Sequence, residues 1–255
     1  SYMEGIMKTT AIVLAGGSGS RMNSKVKKQY LLLGEYPVLW YSLAVLEKSS
    51  RIDEIILVCG KGEQQQCKAL FVDTYGFHKI ACVTEGGKER YHSVYEGLKA
   101  AGDCDYVLIH DGARPFLDEA MLTRLADALP VWNACVVGMP VKDTIKIANP
   151  DTGCVQATPD RSLLWSIQTP QAFRYSLIRD AYDTLMQDEA AGTLDQKVTD
   201  DAMVAEYTGN TVKLIEGSYN NIKITTPEDL VFARAIISDI PEKHEIHKKR
   251  EKRKR

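Results

Sequence analysis

What this 255-residue chain lacks narrows it first. No apolar run reaches the roughly 18 residues that a membrane span needs, so no membrane partner is expected. The N-terminal residues show no charged stretch leading into an apolar one, and no signal peptide is expected. None of the six cysteines, at 59, 67, 82, 104, 135 and 154, forms a Cys-x-x-Cys pair or neighbours a histidine at metal-ligand spacing. A cysteine-built metal site is therefore not expected, and a reducing cytoplasm is the simplest compartment. The net charge is only -2, and it is uneven: residues 242–255 carry eight Lys or Arg against three Glu, which leaves -7 on the rest. A basic end is one mark of nucleic-acid binding, but charge runs at chain ends are most often solvated and disordered. No nucleic-acid partner is expected.

What is present is a rhythm. Short apolar runs at Thr10–Ala15, Ile55–Cys59, Ile80–Thr84, Tyr106–His110 and Ala134–Pro140 read as strands. Between them the spacing predicts helices over Pro37–Ser49, Glu63–Tyr75, Tyr91–Ala101 and Leu117–Leu129, the last stopping before Pro130. Uniformly apolar strands alternating with helices imply an α/β fold, a mostly parallel twisted sheet with helices on both faces. From Val141 the rhythm breaks. Thr144–Ala148 and Val155–Thr158 flank Asn149-Pro150-Asp151-Thr152-Gly153, strong turn chemistry, and read as a protruding hairpin arm spanning about 141–168. Such a hairpin is marginal alone and calls for something to pack on, a second subunit being one choice. Helices at Tyr175–Asp188, Asp200–Tyr207 and Pro227–Ile237 and strands at Val212–Glu216 and Asn221–Thr225 follow. The expected organisation is one domain, 7–240, with a basic tail, 241–255.

Chemistry gathers at strand ends. The first strand runs into Gly16-Gly17-Ser18-Gly19-Ser20-Arg21, where glycines let backbone N–H groups approach an anion and Arg21 adds a fixed cation. Lys25, Lys27 and Lys28 follow closely. The loop lacks the Lys after Gly19 of a phosphate-binding P-loop, and Met22 stands where the dinucleotide fingerprint needs Gly or Ala. Asp111 ends another strand, in His110-Asp111-Gly112-Ala113-Arg114-Pro115, where α/β sheets place ligands. With a triphosphate as partner its expected work is to hold Mg2+. His110 reads as a hydrogen-bonded neighbour. Thr199-Asp200-Asp201 reads equally as a helix cap.

Taken together, LAGGSGSRM, KKQYLLLG, Gly86–Ser93, HDGARPF, PVKDTIK, DRSLLWSIQTPQAF, VTDDA and NIKITTPEDL resemble the 2-C-methyl-D-erythritol 4-phosphate cytidylyltransferase family, in order and across nearly the whole chain. The resemblance implies a Rossmann-like nucleotidyltransferase fold, with CTP and a sugar-alcohol phosphate as substrates, Mg2+ as metal, and a homodimer joined through the β-arm. It implies that Arg21, Lys28, Asp111 and Lys223 are catalytic, Asp111 also binding the metal. CTP would meet Ala15, Gly16, Gly17, Ser18, Gly19, Gly86, Gly87, Ser93 and Asp111. The second substrate would meet Arg114, Thr144, Arg161, Thr169, Thr199 and Lys223. Two departures stand out. Lys27 occupies the place where proline commonly precedes the family's lysine, which leaves Lys27 and Lys28 both open for the role, and Gly112 replaces a frequent Ala. Two other readings are a ribitol 5-phosphate cytidylyltransferase and a non-catalytic nucleotide-binding protein. VKDTIK, DRSLLW and VTDDA favour the erythritol enzyme over the first. The full set of charged positions argues against the second.

Overall fold

Alternate residues of the central strands point to opposite sides, and both sides are apolar. In β1 (Thr9–Ala15), Ala11, Val13 and Ala15 enter one buried cluster while Ile12 and Leu14 join another. β4 (Glu54–Cys59) divides in the same way: Ile55, Leu57 and Cys59 against Ile56 and Val58. A strand buried on both faces needs cover on both, and this is why these runs read as continuously apolar. The computed structural model describes residues 7–17, 22 and 26–239. Ser18, Gly19, Arg21 and the basic tail lie outside these.

Between β1 and β4 the chain forms a two-residue ladder, β2 (Leu32–Leu33) with β3 (Tyr36–Pro37), turned by Gly34 at a φ of 66°. The helix α1 (Val38–Lys48) follows. After β4 come α2 (Gln64–Cys67), which continues as a π-helix over Lys68–Thr74, and β5 (Ile80–Glu85). α3 (Arg90–Ala101) leads to β6 (Tyr106–Asp111), α4 (Glu119–Trp132) and β7 (Ala134–Pro140). The arm is β8 (Ile147–Ala148) paired with β9 (Val155–Ala157), both exposed. β10 (Trp165–Arg174), α5 (Tyr175–Ala190), α6 (Asp201–Tyr207), β11 (Lys213–Glu216) and α7 (Pro227–Ser238) complete the order.

The seven-stranded sheet has the order β11-β7-β10-β6-β1-β4-β5, parallel except for β10, which runs antiparallel to both neighbours. α1 and α4 cover one face, and α3, α5 and α6 the other. α3 lies so close that a Cβ on Gly97 would meet Ile12 Cγ2 at 2.6 Å. The chain leaves β1 toward β4 and β5, then returns to β6 on the other side of β1. The order therefore reverses between β1 and β6, and a crevice opens at their carboxyl ends.

Two expectations need correction. α4 does not stop before Pro130 but passes through it to Trp132, ending on Asn133 in the left-handed region at a φ of 62°. A proline in an exposed last turn removes one ladder bond near a terminus, a small loss compared with mid-helix. Asn221–Thr225 forms no strand: Ile224 N–H reaches Ala113 O, but the segment joins no ladder. β10, in the stretch where the apolar rhythm breaks, is a strand although Pro170 and the polar Ser166, Gln168, Thr169 and Gln171 interrupt it; its register against β7 shifts between Ile167 and Gln171.

Candidate active site

The two-residue period of β6 sorts His110 and Asp111 to opposite faces. His110 turns toward α1, where its Nε2 lies 2.9 Å from Arg114 O and 3.3 Å from Ser42 Oγ. Asp111 turns toward α3, where Arg90 Nε donates to its Oδ1 at 3.0 Å. Thr169 of β10 joins the two: its Oγ1 accepts from Asp111 N–H at 3.0 Å and lies 3.0 Å from His110 Nδ1. The Arg114 carbonyl can only accept, so the neutral His110 ring carries its proton on Nε2 and its Nδ1 accepts from the Thr169 hydroxyl.

Asp111 is the hub of a charged cluster. Lys223 Nζ lies 3.3 Å from its Oδ2 and Arg114 Nε 4.0 Å from the same atom. Burial pushes the Asp111 pKa up, but Arg90, Lys223 and Arg114 outweigh it and hold the carboxyl well below the usual range. Arg90, N-terminal in α3, also spans Asp201 bidentately, NH1 to Oδ1 at 3.1 Å and NH2 to Oδ2 at 2.9 Å. Asp201 is fully buried and accepts in addition from Tyr182 Oη at 2.6 Å. Arg90 is not among the residues that the sequence marks for the site, and Asp201 enters there only within Thr199-Asp200-Asp201, where a helix cap explains it equally well. One signal was available: a cation in a helix's first turn opposes the helix dipole and calls for a carboxylate. Asp200 already caps α6 by accepting from Met203 N–H, so Asp201 was spare for that carboxylate.

The glycine loop forms the opposite wall. A Cβ on Gly16 would stand 3.3 Å from Cys59 O, so the loop presses onto the end of β4 in a way that suits glycine. Gln29, almost fully buried, donates to Gly17 O at 3.0 Å. The structure separates the two lysines. Lys27 Nζ is paired with Glu63 at 2.5 Å, while Lys28 lines the cleft. The segment after β5 closes the third side. A Cβ on Gly86 would collide with Ser93 Oγ, Gly87 N–H donates to that oxygen at 3.2 Å, and a Cβ on Gly87 would stand 2.5 Å from His92 Cβ. Glu189 braces this segment by accepting from Tyr91 Oη and bonding His92 Nε2 at 2.8 Å. The resulting cleft of about 190 Å³ is lined by Gly16, Gly17 and Lys28, by Gly87, Arg90 and Ser93, and by Asp111 and Lys223. Ala15 is buried at the end of β1 behind it.

Beyond Lys223 lies an open trough of about 450 Å³ edged by Arg114, Lys142, Gln168 and Asn221. Arg114 NH1 donates to Asn221 O at 2.8 Å, and the buried Arg114 Nε has no hydrogen-bond partner among the described residues. Asn221 Nδ2 holds Gln168 Oε1 at 3.0 Å and Thr169 O at 2.8 Å. The remaining predicted residues are not brought in. Thr199 is exposed and donates to Met203 Sδ at 3.5 Å, away from the cleft lining. Thr144 and Arg161 sit exposed on the arm, where Arg161 NH1 donates to Lys142 O at 2.7 Å. Neither touches the Asp111 cluster of its own chain. Arg21, Ser18 and Gly19 lie outside the described residues.

Burial holds the His110 imidazole neutral, lowering its pKa to about 4. The unfolded chain takes up this proton below about pH 6.5, and the folded chain refuses it until about pH 4. This contribution is therefore complete above pH 6.5 and is lost as pH falls across that window, by about 3 kcal/mol in all. Urea unfolding at pH 7 and pH 4.5, without divalent cation, should show a smaller acid-induced loss for His110→Asn than for the parent chain; parallel losses would contradict the assignment.

Comparison with known proteins gives a consistent result. The family model described as IspD, 2-C-methyl-D-erythritol 4-phosphate cytidylyltransferase, matches residues 9–239. The chain is 48% identical over 233 residues to the 2-C-methyl-D-erythritol 4-phosphate cytidylyltransferase of Lachnoclostridium phytofermentans, covering 91% of this chain and 97% of the relative. It is 47% identical to that of Alkaliphilus oremlandii, at 92% and 97% coverage. The crystal structure of 4-diphosphocytidyl-2C-methyl-D-erythritol synthase from Anaerococcus prevotii superposes with a TM-score of 0.76 at 34% identity, over 91% of this chain and 99% of that one.

Proposed function

This chain belongs to the 2-C-methyl-D-erythritol 4-phosphate cytidylyltransferase family, and on that premise we propose how its residues carry the reaction. The protein transfers CMP from CTP to 2-C-methyl-D-erythritol 4-phosphate with release of pyrophosphate, a step of isoprenoid biosynthesis. The observation that carries the assignment of residues is the cleft at the β1/β6 reversal, where glycine-loop backbone and Lys28 face Asp111 and Lys223.

CTP lies with its phosphates along Gly16, Gly17 and Lys28 and its nucleoside against Gly86, Gly87 and Ser93. The flanking motif assigns Arg21, Ser18 and Gly19 to the same phosphates. The sugar-alcohol phosphate occupies the trough, met by Lys223 and by Arg114, whose buried Nε has no hydrogen-bond partner among the described residues. A phosphate oxygen attacks the α-phosphorus in line and pyrophosphate departs opposite. The nucleophile is already anionic near neutral pH, so no general base is required, and the neutral, buried His110 supplies none. The barrier lies in bringing two polyanions together, and fixed cations lower it.

Asp111 suits a hard cation: it is an ionised oxygen donor lining the cleft. Among the described residues no three His, Cys, Asp or Glu group as a metal cage. The fit is therefore to magnesium held by one carboxylate and by substrate phosphates, the usual arrangement for that ion. When bound, it supplies charge neutralisation on the phosphates.

The arm argues for a homodimer. Val155 and Leu163 are 62% and 77% exposed, and Ile145 and Ile147, also on the arm, are exposed as well. A second copy covers them, bringing Thr144 and Arg161 to the partner's trough. In mixed dimers, Arg161→Ala on one chain and Lys28→Ala on the other should leave one intact site and recover part of the activity that either homodimer lacks; absence of complementation in every pairing would refute the shared site. The free cysteines fit a reducing cytoplasm, and no helix among the described residues is long and apolar enough to cross a membrane.

The function is tested by pyrophosphate release from CTP with 2-C-methyl-D-erythritol 4-phosphate, with ribitol 5-phosphate and with neither. Turnover is expected with the first alone. Turnover with ribitol 5-phosphate alone would move the chain to the alternative substrate.

A further inference from the structure

We infer that Arg90 is a positioning residue of the transfer site, locked by Asp201 and Tyr182, and that it sets the orientation of the Asp111 carboxylate. This rests on the placing of Asp111 in that site. Three observations lead to it. Arg90 commits Nε to Asp111 Oδ1 and both terminal nitrogens to Asp201, so a single guanidinium bridges the two carboxylates. Asp201 is fully buried, and Tyr182, also fully buried, donates to it from behind. Burying a carboxylate costs several kcal/mol before pairing, and a helix cap does not require this one, because Asp200 already serves α6. Finally, Arg90 lines the cleft itself, so the bridge ends where the reaction occurs.

The geometry states what the bridge accomplishes. Asp111 has two oxygens and three cations around it. With Oδ1 pinned by Arg90, only Oδ2 faces Lys223 at 3.3 Å and Arg114 at 4.0 Å. Without Arg90 the carboxylate is free to rotate and take Lys223 and Arg114 with both oxygens, drawing off the cations that the incoming phosphate needs. Arg90 must be held for this to work, and Asp201 does so. It also balances charge: two carboxylates against three cations leave the cluster at +1, suited to anionic substrates, where loss of Asp201 would leave +2. Four elements meet in this chain of contacts: α3 through Arg90, β6 through Asp111, α6 through Asp201 and α5 through Tyr182. A lysine keeps the charge at position 90 but has no planar fork to engage both carboxylates.

The test is a double-mutant cycle. Arg90→Lys is expected to lower kcat roughly 10–100-fold, the usual loss when the partner orienting a functional group is removed, with KM for CTP changed only a few-fold. In an Asp111→Asn background the same substitution should cost less than about twofold, because the group it orients is already gone. A residue that merely staples α6 to α3 would lower kcat by the same factor in both backgrounds and lower thermal stability in both, and that result overturns the inference. Should Arg90→Lys fail to fold, Tyr182→Phe removes one hydroxyl from behind Asp201 and is read in the same way: a smaller loss in kcat that disappears with Asp111→Asn, or an equal loss in both, which again overturns it. If Asp111→Asn alone turns over normally, the assignment of Asp111 falls and this inference falls with it. If Asp111→Asn is crippled and no coupling appears, only the role of Arg90 falls.

Discussion

Lys28→Ala is expected to lower kcat for pyrophosphate release by roughly 10²–10³, with a smaller change in KM for CTP. The magnitude is that of removing one preorganised donor aimed at developing charge, about 2.7–4 kcal/mol. The structure makes the prediction specific, because the adjacent lysine serves as its control. Lys27 and Lys28 are both cations beside the glycine loop, but the 3-10 turn Lys28–Tyr30 sends them to different places. Lys27 pairs with Glu63, half-exposed, a kind of pair worth about 0–1 kcal/mol. Lys28 is 8% exposed and lines the cleft. Lys27→Ala should therefore change kcat only a few-fold. Steady-state kinetics of both variants decide the matter, and a crippled Lys27→Ala beside a normal Lys28→Ala would exchange their roles.

The second large effect concerns Asp111. Asp111→Asn keeps the shape and removes the charge that gathers Arg90, Lys223 and Arg114. Turnover should fall by at least the factor expected for Lys28, because every group placed by Asp111 is affected together. Stability should fall as well. Breaking a buried ion pair from one side leaves cations without their partner, at a cost of about 3–5 kcal/mol, which in a chain of this size lowers the melting temperature by roughly 6–20 °C. The pH dependence has a fixed sign. A carboxylate whose folded pKa is depressed contributes stability above its unfolded value, near pH 3.9, and loses it as pH falls further. The parent chain should therefore lose stability below about pH 4 more steeply than Asp111→Asn. Thermal melts over pH 3–7 measure this, and identical profiles would show that Asp111 is not held ionised by its neighbours.

Much of this was legible in the chain before folding. The strands β1, β4, β6 and β7 announce themselves because burial on both faces makes their central residues apolar, and the glycine loop and Asp111 lie at the ends of two of them. Other parts were hidden for identifiable reasons. β10 contains Pro170, which argues against a central strand, and is tolerated because the register slips beside it. Asn221–Thr225 imitates a strand through Ile222 and Ile224, but its polar side chain is spent on Gln168 and Thr169. Arg90 and Asp201 are 111 residues apart, and no local pattern links them. The choice between Lys27 and Lys28 depends on where Glu63 lies, which only the packing of the segment after β4 decides.

β10 joins the arm to the reaction. It leaves the arm's root at Trp165, carries at Thr169 the hydroxyl on which the Asp111 amide rests, and then lies locked between β6 and β7. An extended strand advances about 3.3 Å per residue and hardly stretches. The root of the arm and the anchor of Asp111 stand only four residues apart on it, with the slip in register against β7 beginning between them at Ile167. One strand therefore serves both the arm and the floor of the catalytic cleft.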